Sequence, residues 1–199
     1  MVELGAGTGL GTYVVLDAVA GEIVAVEPSP ALRGVLLARL ADRGETRVRV
    51  LPHRAQDAPL PERVAAVVGL HMVGHLSPAD RAALWTRLAA RLAPGGPVVL
   101  NVQPPDTAVA VPPFPWSGVA VGGLHYEGTG RADPVGEGRV RWRMDYRTRD
   151  GDRVLAKASA EYEWWTTSAD ELAAELAAAG LDPTVDGDLA VARAPAGQQ

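Results

Sequence analysis

The sequence predicts an α/β protein built on a doubly wound, mostly parallel sheet with an antiparallel closing hairpin. Three observations support this prediction. Strand-like and helix-like segments alternate over residues 2–103, as they do in parallel sheets covered by helices. A glycine-rich turn, "GAGTG", joins the first apolar segment to the first helix-like segment. A final helix precedes two short strands around Asp186-Gly187, a hairpin signal that predicts one strand inserted antiparallel.

The alternating part of the chain supplies five strands and three helices. Serine followed by proline predicts a helix start, because serine caps a helix and proline fits its first turn. The segment "VAAVVGL" is apolar throughout, as expected of a strand buried on both faces. The predicted strands are 2–4, 22–26, 47–51, 64–70 and 97–102, and the predicted helices are 9–20, 29–43 and 77 to the "LAPGG" segment.

An inserted region interrupts this pattern after the fifth strand. The stretch "PPDTAVAVPPFPWSG" is so rich in proline that it predicts an irregular loop. Clean two-residue alternation then predicts an inserted antiparallel sheet with strands near 123–133, 138–148 and 153–165, whose arginine and glutamate rows could pair across strands. We therefore predict one domain from residues 1–103 and 166–199, and an insertion from 104–165.

The last helix has a clear start and end. Ser168 and Glu171 have the spacing of a capping box, and an alanine- and leucine-rich run ends at Gly180. This helix and the final hairpin return the chain to the first domain.

Composition excludes several classes of function. The chain has 199 residues, a net charge of −5 and no cysteine. An acidic chain without a basic patch predicts neither nucleic acid nor anionic membrane as a partner. The absence of cysteine removes disulfides, thiolate zinc sites and cysteine nucleophiles. Neither a membrane-spanning run nor a signal peptide is visible, so a cytoplasmic location is expected.

The glycine turn predicts a bound ligand, and an acid downstream indicates its type. Glycines let a ligand approach the backbone, and the helix that follows presents free N–H groups. Glu27 ends the second predicted strand, where a carboxylate can accept both hydroxyls of a ribose. Together these features favour an adenosine-containing cofactor. The dinucleotide pattern Gly-x-Gly-x-x-Gly fits poorly, because Leu10 stands where its third glycine belongs.

The acid and the glycines resemble the first motif of the class I S-adenosylmethionine-dependent methyltransferases, acid-x-Gly-x-Gly-x-Gly. The motif is matched by Glu3, Gly5, Gly7 and Gly9, and the resemblance extends to Glu27, to "LAPGGPVVL" and to the closing helix and hairpin. It implies a Rossmann-like fold and S-adenosylmethionine as cofactor, with S-adenosylhomocysteine as product. It also implies methyl transfer to a nitrogen or oxygen atom of a small molecule.

The resemblance assigns roles to individual positions. The glycines would pass under the methionine and ribose, Glu3 would hold the amino end and Glu27 would bind the ribose. Arg54 departs from the family, which usually has an acid there for the adenine, and Ala55, Gln56 or Asp57 could substitute. The predicted cofactor-binding residues are Glu3, Gly5, Ala6, Gly7, Gly9, Glu27, Pro28, Ala55, Gln56 and Gly69.

Two histidines after the fourth strand are the candidate catalytic residues. His75 is the first choice and His71 the second, because "VGHL" resembles a segment of small-molecule methyltransferases in which a histidine or aromatic residue faces the active site. Either could instead be a packing or capping residue. Their spacing does not predict a metal site, because Met72 replaces the glutamate of the His-Glu-x-x-His pattern.

The insertion and the start of the chain leave alternatives open. The aromatic residues of 104–165 could cover a small-molecule substrate, form a homodimer contact or pack as a small core. Class I methyltransferases have helices before the first strand, whereas here Met1 lies in that strand. We expect either that residues upstream are missing or that a short form binds cofactor weakly. The alternative functions are an inactive methyltransferase-like binding domain and, less favoured, an NAD-dependent oxidoreductase.

Overall fold

The computed structural model describes residues 1–196, which divide into two compact units. Of the described residues, unit 1 comprises Met1–Gln103 and residues 168–196, and unit 2 comprises Pro104–Thr167. Within the described residues, no helix combines the length and apolar character needed to cross a lipid bilayer.

Unit 1 is built on a seven-stranded sheet. Its strands, numbered along the whole chain, are β1 (Val2–Leu4), β2 (Ile23–Val26), β3 (Val48–Leu51), β4 (Val67–Gly69), β5 (Pro97–Asn101), β10 (Asp182–Asp186) and β11 (Leu189–Arg193). Their order is β10-β11-β5-β4-β1-β2-β3, and β11 runs antiparallel to both neighbours while the other pairs are parallel. The predicted doubly wound sheet with an antiparallel closing hairpin is confirmed.

Four helices cover this sheet, and serine side chains cap three of them. The helices are α1 (Leu10–Ala18), α2 (Pro30–Asp42), α3 (Pro78–Ala89) and α4 (Ala169–Ala178). Ser29 and Ser77 accept hydrogen bonds from the first turns of α2 and α3, and Ser168 forms the predicted capping box with Glu171. The prolines after Ser29 and Ser77 occupy the first helical position, as their fixed φ favours.

The core has one apolar cluster on each face of the sheet. Alternation along β2 shows this, because Ile23 and Ala25 belong to one cluster and Val26 to the other. Helices α1 and α2 contribute Leu16 and Leu36 to the first of these clusters. Helices α3 and α4 contribute to the second, larger cluster. Both faces of the sheet are therefore covered by helices.

A buried ion pair joins α3 to α4. Arg81, whose exposed fraction is 3%, donates from Nε and Nη2 to the carboxylate of Glu175 over 2.7–3.1 Å. Trp85 Nε1 donates to the same carboxylate over 3.0 Å, and Arg81 Nη1 donates to the carbonyl of Leu76 over 3.1 Å. Glu175 therefore neutralises a buried guanidinium and also satisfies a buried indole.

Unit 2 is a four-stranded antiparallel sheet in the order β6-β7-β8-β9. Its strands are β6 (Val111–Val121), β7 (Leu124–Gly136), β8 (Arg139–Asp150) and β9 (Arg153–Trp165). The prediction of an irregular loop over the proline-rich stretch was wrong for β6, which contains Pro112, Pro113 and Pro115. Proline lacks the N–H that an inner strand needs, but β6 lies at the edge of its sheet, where one side needs no partner.

The two faces of unit 2 differ in chemistry. One face pairs arginines of β8 with glutamates of β9, as predicted from their alternation: Arg139 and Arg141 contact Glu163 at 2.8 and 3.0 Å, and Arg143 contacts Glu161 at 3.3 Å. The other face is aromatic, with edge-to-face ring pairs Phe114–Trp142, Trp116–Tyr146 and Tyr162–Trp164.

Candidate functional site

The turn after β1 requires glycine at three positions. Gly5, Gly7 and Gly9 have φ values of 71°, 58° and 88°, which lie in the left-handed region. In that region, the conformational energy of residues other than glycine is about 1–2 kcal/mol less favourable. A Cβ on Gly9 would also lie 2.5 Å from Leu36 Cδ1 of α2, so the turn packs closely against this helix.

Gly7 faces open space. A Cβ built on it would meet no atom within 4 Å, whereas one on Gly5 would lie 3.0 Å from Met72 Cβ. Protein atoms therefore back the turn at Gly5 and Gly9 and leave it open at Gly7. A ligand has room to approach the backbone on this open side.

Glu27 directly follows β2 and accepts a hydrogen bond from the glycine turn. Its exposed fraction is 4%, and its Oε2 accepts from Gly7 N over 2.8 Å while Oε1 accepts from Ser29 N over 2.7 Å. A carboxylate offers about four acceptor positions. Glu27 therefore joins the turn to the start of α2 and retains capacity to accept hydrogen bonds from hydroxyl groups.

Glu3 lies in the interior of unit 1. Its exposed fraction is 6%, and its Oε2 accepts from Thr12 Oγ1 over 2.6 Å. Burial raises the pKa of the Glu3 carboxyl, and the Thr12 hydrogen bond opposes that shift. The pair connects β1 to α1 across the glycine turn, so Glu3 positions the backbone around the turn.

The remaining predicted cofactor positions lie beside these groups. Ala6 is buried and its N–H donates to the carbonyl of Val26, which attaches the turn to β2. Pro28 follows Glu27, and its carbonyl accepts from the Arg33 guanidinium. Gly69 ends β4, where a Cβ would lie 2.9 Å from Leu100.

The segment after β3 is held in place by α3. Arg87 donates to the carbonyls of Gln56 and Ala58, the second over 2.7 Å. Ala55 is buried, Gln56 is half-buried and Arg54 is exposed. Because β3 pairs in parallel with β2, the carboxyl end of β3 lies next to that of β2, where Glu27 is found. The sequence prediction did not include Arg87 among the residues that shape this site.

His71 has an unusual backbone conformation. Among the described residues it is the only non-glycine residue with positive φ, at 57°. Its N–H donates to Asn101 Oδ1 over 2.7 Å, and Asn101 is buried at the carboxyl end of β5. Sequence reasoning missed Asn101, although a polar residue ending the apolar run "PVVLN" was a usable signal.

His75 lies in a short helical turn, Val73–His75, and is exposed. The protein around its ring still desolvates the charged form, which lowers the pKa of His75, and the negative charge of Glu27 opposes that shift. The imidazole therefore favours its neutral form at neutral pH and can accept a proton. His75 follows β4 and Glu27 directly follows β2, and these are the two strands that flank β1.

The described residues contain no cluster of three or more His, Cys, Asp or Glu side chains arranged to bind a metal ion. A cavity with a volume of about 400 Å³ lies in unit 2. Its lining includes Trp116, His125, Tyr126, Asp145 and Arg147. The convergence of buried acid, open glycine and histidine in unit 1 makes the glycine turn the stronger candidate site.

Comparison with known proteins agrees with this geometry. A family model described as a methyltransferase domain matches residues 1–96. A search among curated protein sequences found no significant match.

Three solved structures are similar to the whole chain, each with 22% sequence identity. CalS10, an amino pentose methyltransferase from Micromonospora echinaspora solved with S-adenosylmethionine bound, has a TM-score of 0.78, covering 96% of this chain and 81% of its own. DesVI from Streptomyces venezuelae has a TM-score of 0.81, and the match covers 98% of this chain and 83% of DesVI. The sugar N-methyltransferase KedS8 from a Streptoalloteichus species has a TM-score of 0.75, and the match covers 98% of this chain and 79% of KedS8. A methyltransferase-domain model thus matches residues 1–96, and nearly the whole chain shares its fold with these three solved structures.

Proposed function

We propose that this chain is an S-adenosylmethionine-dependent methyltransferase that methylates an amino group of a small molecule, with an amino sugar as the substrate class. The observation that carries the proposal is the buried carboxylate of Glu27, which accepts a hydrogen bond from the glycine turn. That turn leaves room for a ligand at Gly7. The choice of nitrogen over oxygen is supported by two relatives of the same fold, described as an amino pentose methyltransferase and a sugar N-methyltransferase.

The residues of the turn and its neighbours fit the cofactor. Gly7 leaves room beside the backbone, and Glu27 retains acceptor positions for the two ribose hydroxyls. The end of β3 adjoins that of β2, so Ala55 and Gln56 are available for the adenine. In this proposal Gly5, Ala6, Gly7 and Gly9 line the methionine and ribose, Pro28 and Gly69 flank them, and Glu3 supports the amino end.

Bound S-adenosylmethionine would supply a methyl group activated for nucleophilic attack. The protein must orient the acceptor and leave its nitrogen unprotonated, because an ammonium ion has no lone pair. His75 is suited to take that proton on its imidazole, since the pKa of His75 is lowered and the neutral ring is available. His71 is the second candidate, held in its conformation by Asn101.

Unit 2 would supply specificity or self-association. Its aromatic face is partly exposed at Phe114, Tyr126, Tyr146 and Tyr162. Such a face suits either the apolar side of a sugar or a second copy of the chain. We further propose that the protein acts in the cytoplasm, without nucleic acid or membrane as a partner, consistent with its net charge of −5.

The proposal is tested by titration calorimetry of the full chain with S-adenosylhomocysteine, followed by methyl-transfer assays. We expect saturable 1:1 binding, and methylation of amino sugars but not of matched sugars that carry a hydroxyl at the same carbon. NADH is the control ligand and should not bind. Absence of S-adenosylhomocysteine binding would favour the inactive binding domain, and NADH binding would favour an oxidoreductase.

Replacing His75 by alanine should lower kcat by about a hundredfold while changing S-adenosylhomocysteine affinity little, because positioned acid–base groups contribute ~10²–10⁴-fold. The pH profile of kcat/KM provides the second readout. Because the pKa of His75 is lowered, the wild-type enzyme should keep its activity as the pH falls through 6.5 and lose it only below that value. The variant should lack this acidic limb. His71→Ala tests the second candidate by the same two readouts, and an unchanged profile in His75→Ala would exclude His75 as the base.

A further inference from the structure

The peptide group between Gly7 and Thr8 lies at the open side of the glycine turn. Among the residues that the structure describes, neither its carbonyl, on Gly7, nor its N–H, on Thr8, has a hydrogen-bond partner. A Cβ built on Gly7 would meet no atom within 4 Å, so there is space beside this peptide group. It therefore offers one donor and one acceptor to a ligand.

The two neighbouring peptide groups are both held by hydrogen bonds. The preceding one donates from Gly7 N to Glu27 Oε2 over 2.8 Å. The following one joins Thr8 to Gly9, and its N–H donates to a carbonyl within the turn over 3.0 Å. Its carbonyl, on Thr8, accepts from Arg39 Nη1 over 2.8 Å. The orientation of the free peptide group is thus set by two bonded neighbours.

Arg39 reaches the turn from the last part of α2, 31 positions along the chain from Thr8. The same nitrogen, Nη1, also donates to Thr8 Oγ1 over 3.1 Å, so one guanidinium holds both oxygen atoms of Thr8. Hydrogen bonds from a charged donor are stronger than those between neutral groups. Over residues 1–196, Arg39 forms no ion pair, so no carboxylate competes with Thr8 for the guanidinium.

The backbone of Arg39 is also fixed. Tyr13 Oη, on α1, donates to the carbonyl of Arg39 over 2.6 Å. Because α1 begins directly after the turn, this bond holds Arg39 at a set distance from Thr8. The guanidinium therefore contacts the turn from an anchored position.

Thr8 needs such a contact because it stands between two glycines. Gly7 and Gly9 have φ values of 58° and 88°, and glycine has more backbone freedom than any other residue. Peptide groups flanked by glycines rotate readily unless hydrogen bonds hold them. The side chain of Glu27 holds one end of this pair of glycines, and Arg39 holds the other.

We propose that Arg39 is a positioning residue for cofactor binding. Through both oxygens of Thr8, it keeps the free Gly7–Thr8 peptide group in the orientation that bonds to S-adenosylmethionine. This inference rests on the proposed function and deepens it, because it adds a residue on α2 that acts on the cofactor site through Thr8.

Calorimetric titration of the full chain with S-adenosylhomocysteine tests the role of Arg39. Arg39→Leu should raise the Kd about tenfold, because the turn loses its only charged donor. The KM for S-adenosylmethionine should rise similarly while kcat at saturating cofactor stays unchanged, since the residue orients the turn and takes no part in methyl transfer. Arg39→Lys should recover most of the affinity, because one cationic nitrogen makes both bonds to Thr8.

Hydrogen exchange of the ligand-free chain, measured by NMR, gives a readout that needs no cofactor. The Gly9 amide belongs to the peptide group that Arg39 holds, so it should exchange on the order of tenfold faster in Arg39→Leu than in wild type. Arg39→Lys should restore the slower exchange.

The matched control is Arg43→Leu. Arg43 also stands at the end of α2 and connects it to α1, through an ion pair with Asp17, but Thr8 is not among its partners. This variant should leave the Kd, the KM and the exchange of Gly9 unchanged. It therefore separates an effect on the turn from a general loosening of the two helices.

Unchanged Kd in Arg39→Leu, with wild type binding normally, would overturn this inference and leave the proposed function standing. Equal effects of Arg39→Leu and Arg43→Leu would also overturn it, as would a lysine variant no better than the leucine variant. A wild-type chain that does not bind S-adenosylhomocysteine would overturn the proposed function itself, and this inference with it.

Discussion

Replacing Glu27 by alanine should weaken S-adenosylhomocysteine binding by about a hundredfold or more. A hydrogen bond to a charged group contributes about 1.5–3 kcal/mol, and two ribose hydroxyls would lose such a bond, which gives a loss of ~3 kcal/mol or more. The change also removes the acceptor for Gly7 N and Ser29 N, so the turn and the start of α2 lose their connection. Calorimetric titration of wild type and variant measures the effect.

Two controls separate contact with the ribose from loosening of the turn. Glu22→Ala makes the same change just before β2, at an exposed position, and should leave the affinity unaltered. A double-mutant cycle with the 2′-deoxy analogue of S-adenosylhomocysteine isolates the contact itself. Loss of the hydroxyl should weaken binding to wild type and have little further effect in Glu27→Ala. Equal losses in both proteins would mean that Glu27 does not contact this hydroxyl.

Replacing Glu175 by alanine should lower the free energy of unfolding by about 3–5 kcal/mol, as expected when a buried charge loses its partner. The variant would leave the Arg81 guanidinium buried at 3% exposure with one hydrogen bond, to the Leu76 carbonyl, and would remove the acceptor of Trp85 Nε1. Urea unfolding of the full chain, followed by circular dichroism, measures the change.

The control for this experiment is Glu163→Ala. Glu163 also forms ion pairs with arginines, but its side chain is 42% exposed, and exposed pairs contribute about 0–1 kcal/mol. The double variant Arg81→Leu/Glu175→Leu should recover much of the lost stability, because apolar residues of similar volume often replace a buried ion pair without cost. Similar losses in Glu175→Ala and Glu163→Ala would contradict the role assigned to the buried pair.

Local signals in the sequence predicted most elements of unit 1. Serine followed by proline marks the starts of α2 and α3, and the capping box marks the start of α4, because these interactions are completed within one helical turn. Glycines at 5, 7 and 9 predicted the turn because positive φ is a local requirement. The same signals failed for β6, where only its place at the sheet edge makes three prolines compatible with a strand.

The sequence by itself determined the glycine turn, the acid at the end of β2 and the alternation that makes a doubly wound sheet, because each depends on residues close together in the chain. Only the tertiary structure decided which distant groups meet. It brings Asn101 to the backbone of His71 over thirty positions, Arg87 to the loop after β3, and Glu175 to Arg81 from a helix far along the chain. It also places β9 at the edge of the unit 2 sheet and β8 between β7 and β9. These contacts depend on the strand order, which places residues side by side without regard to their separation in sequence.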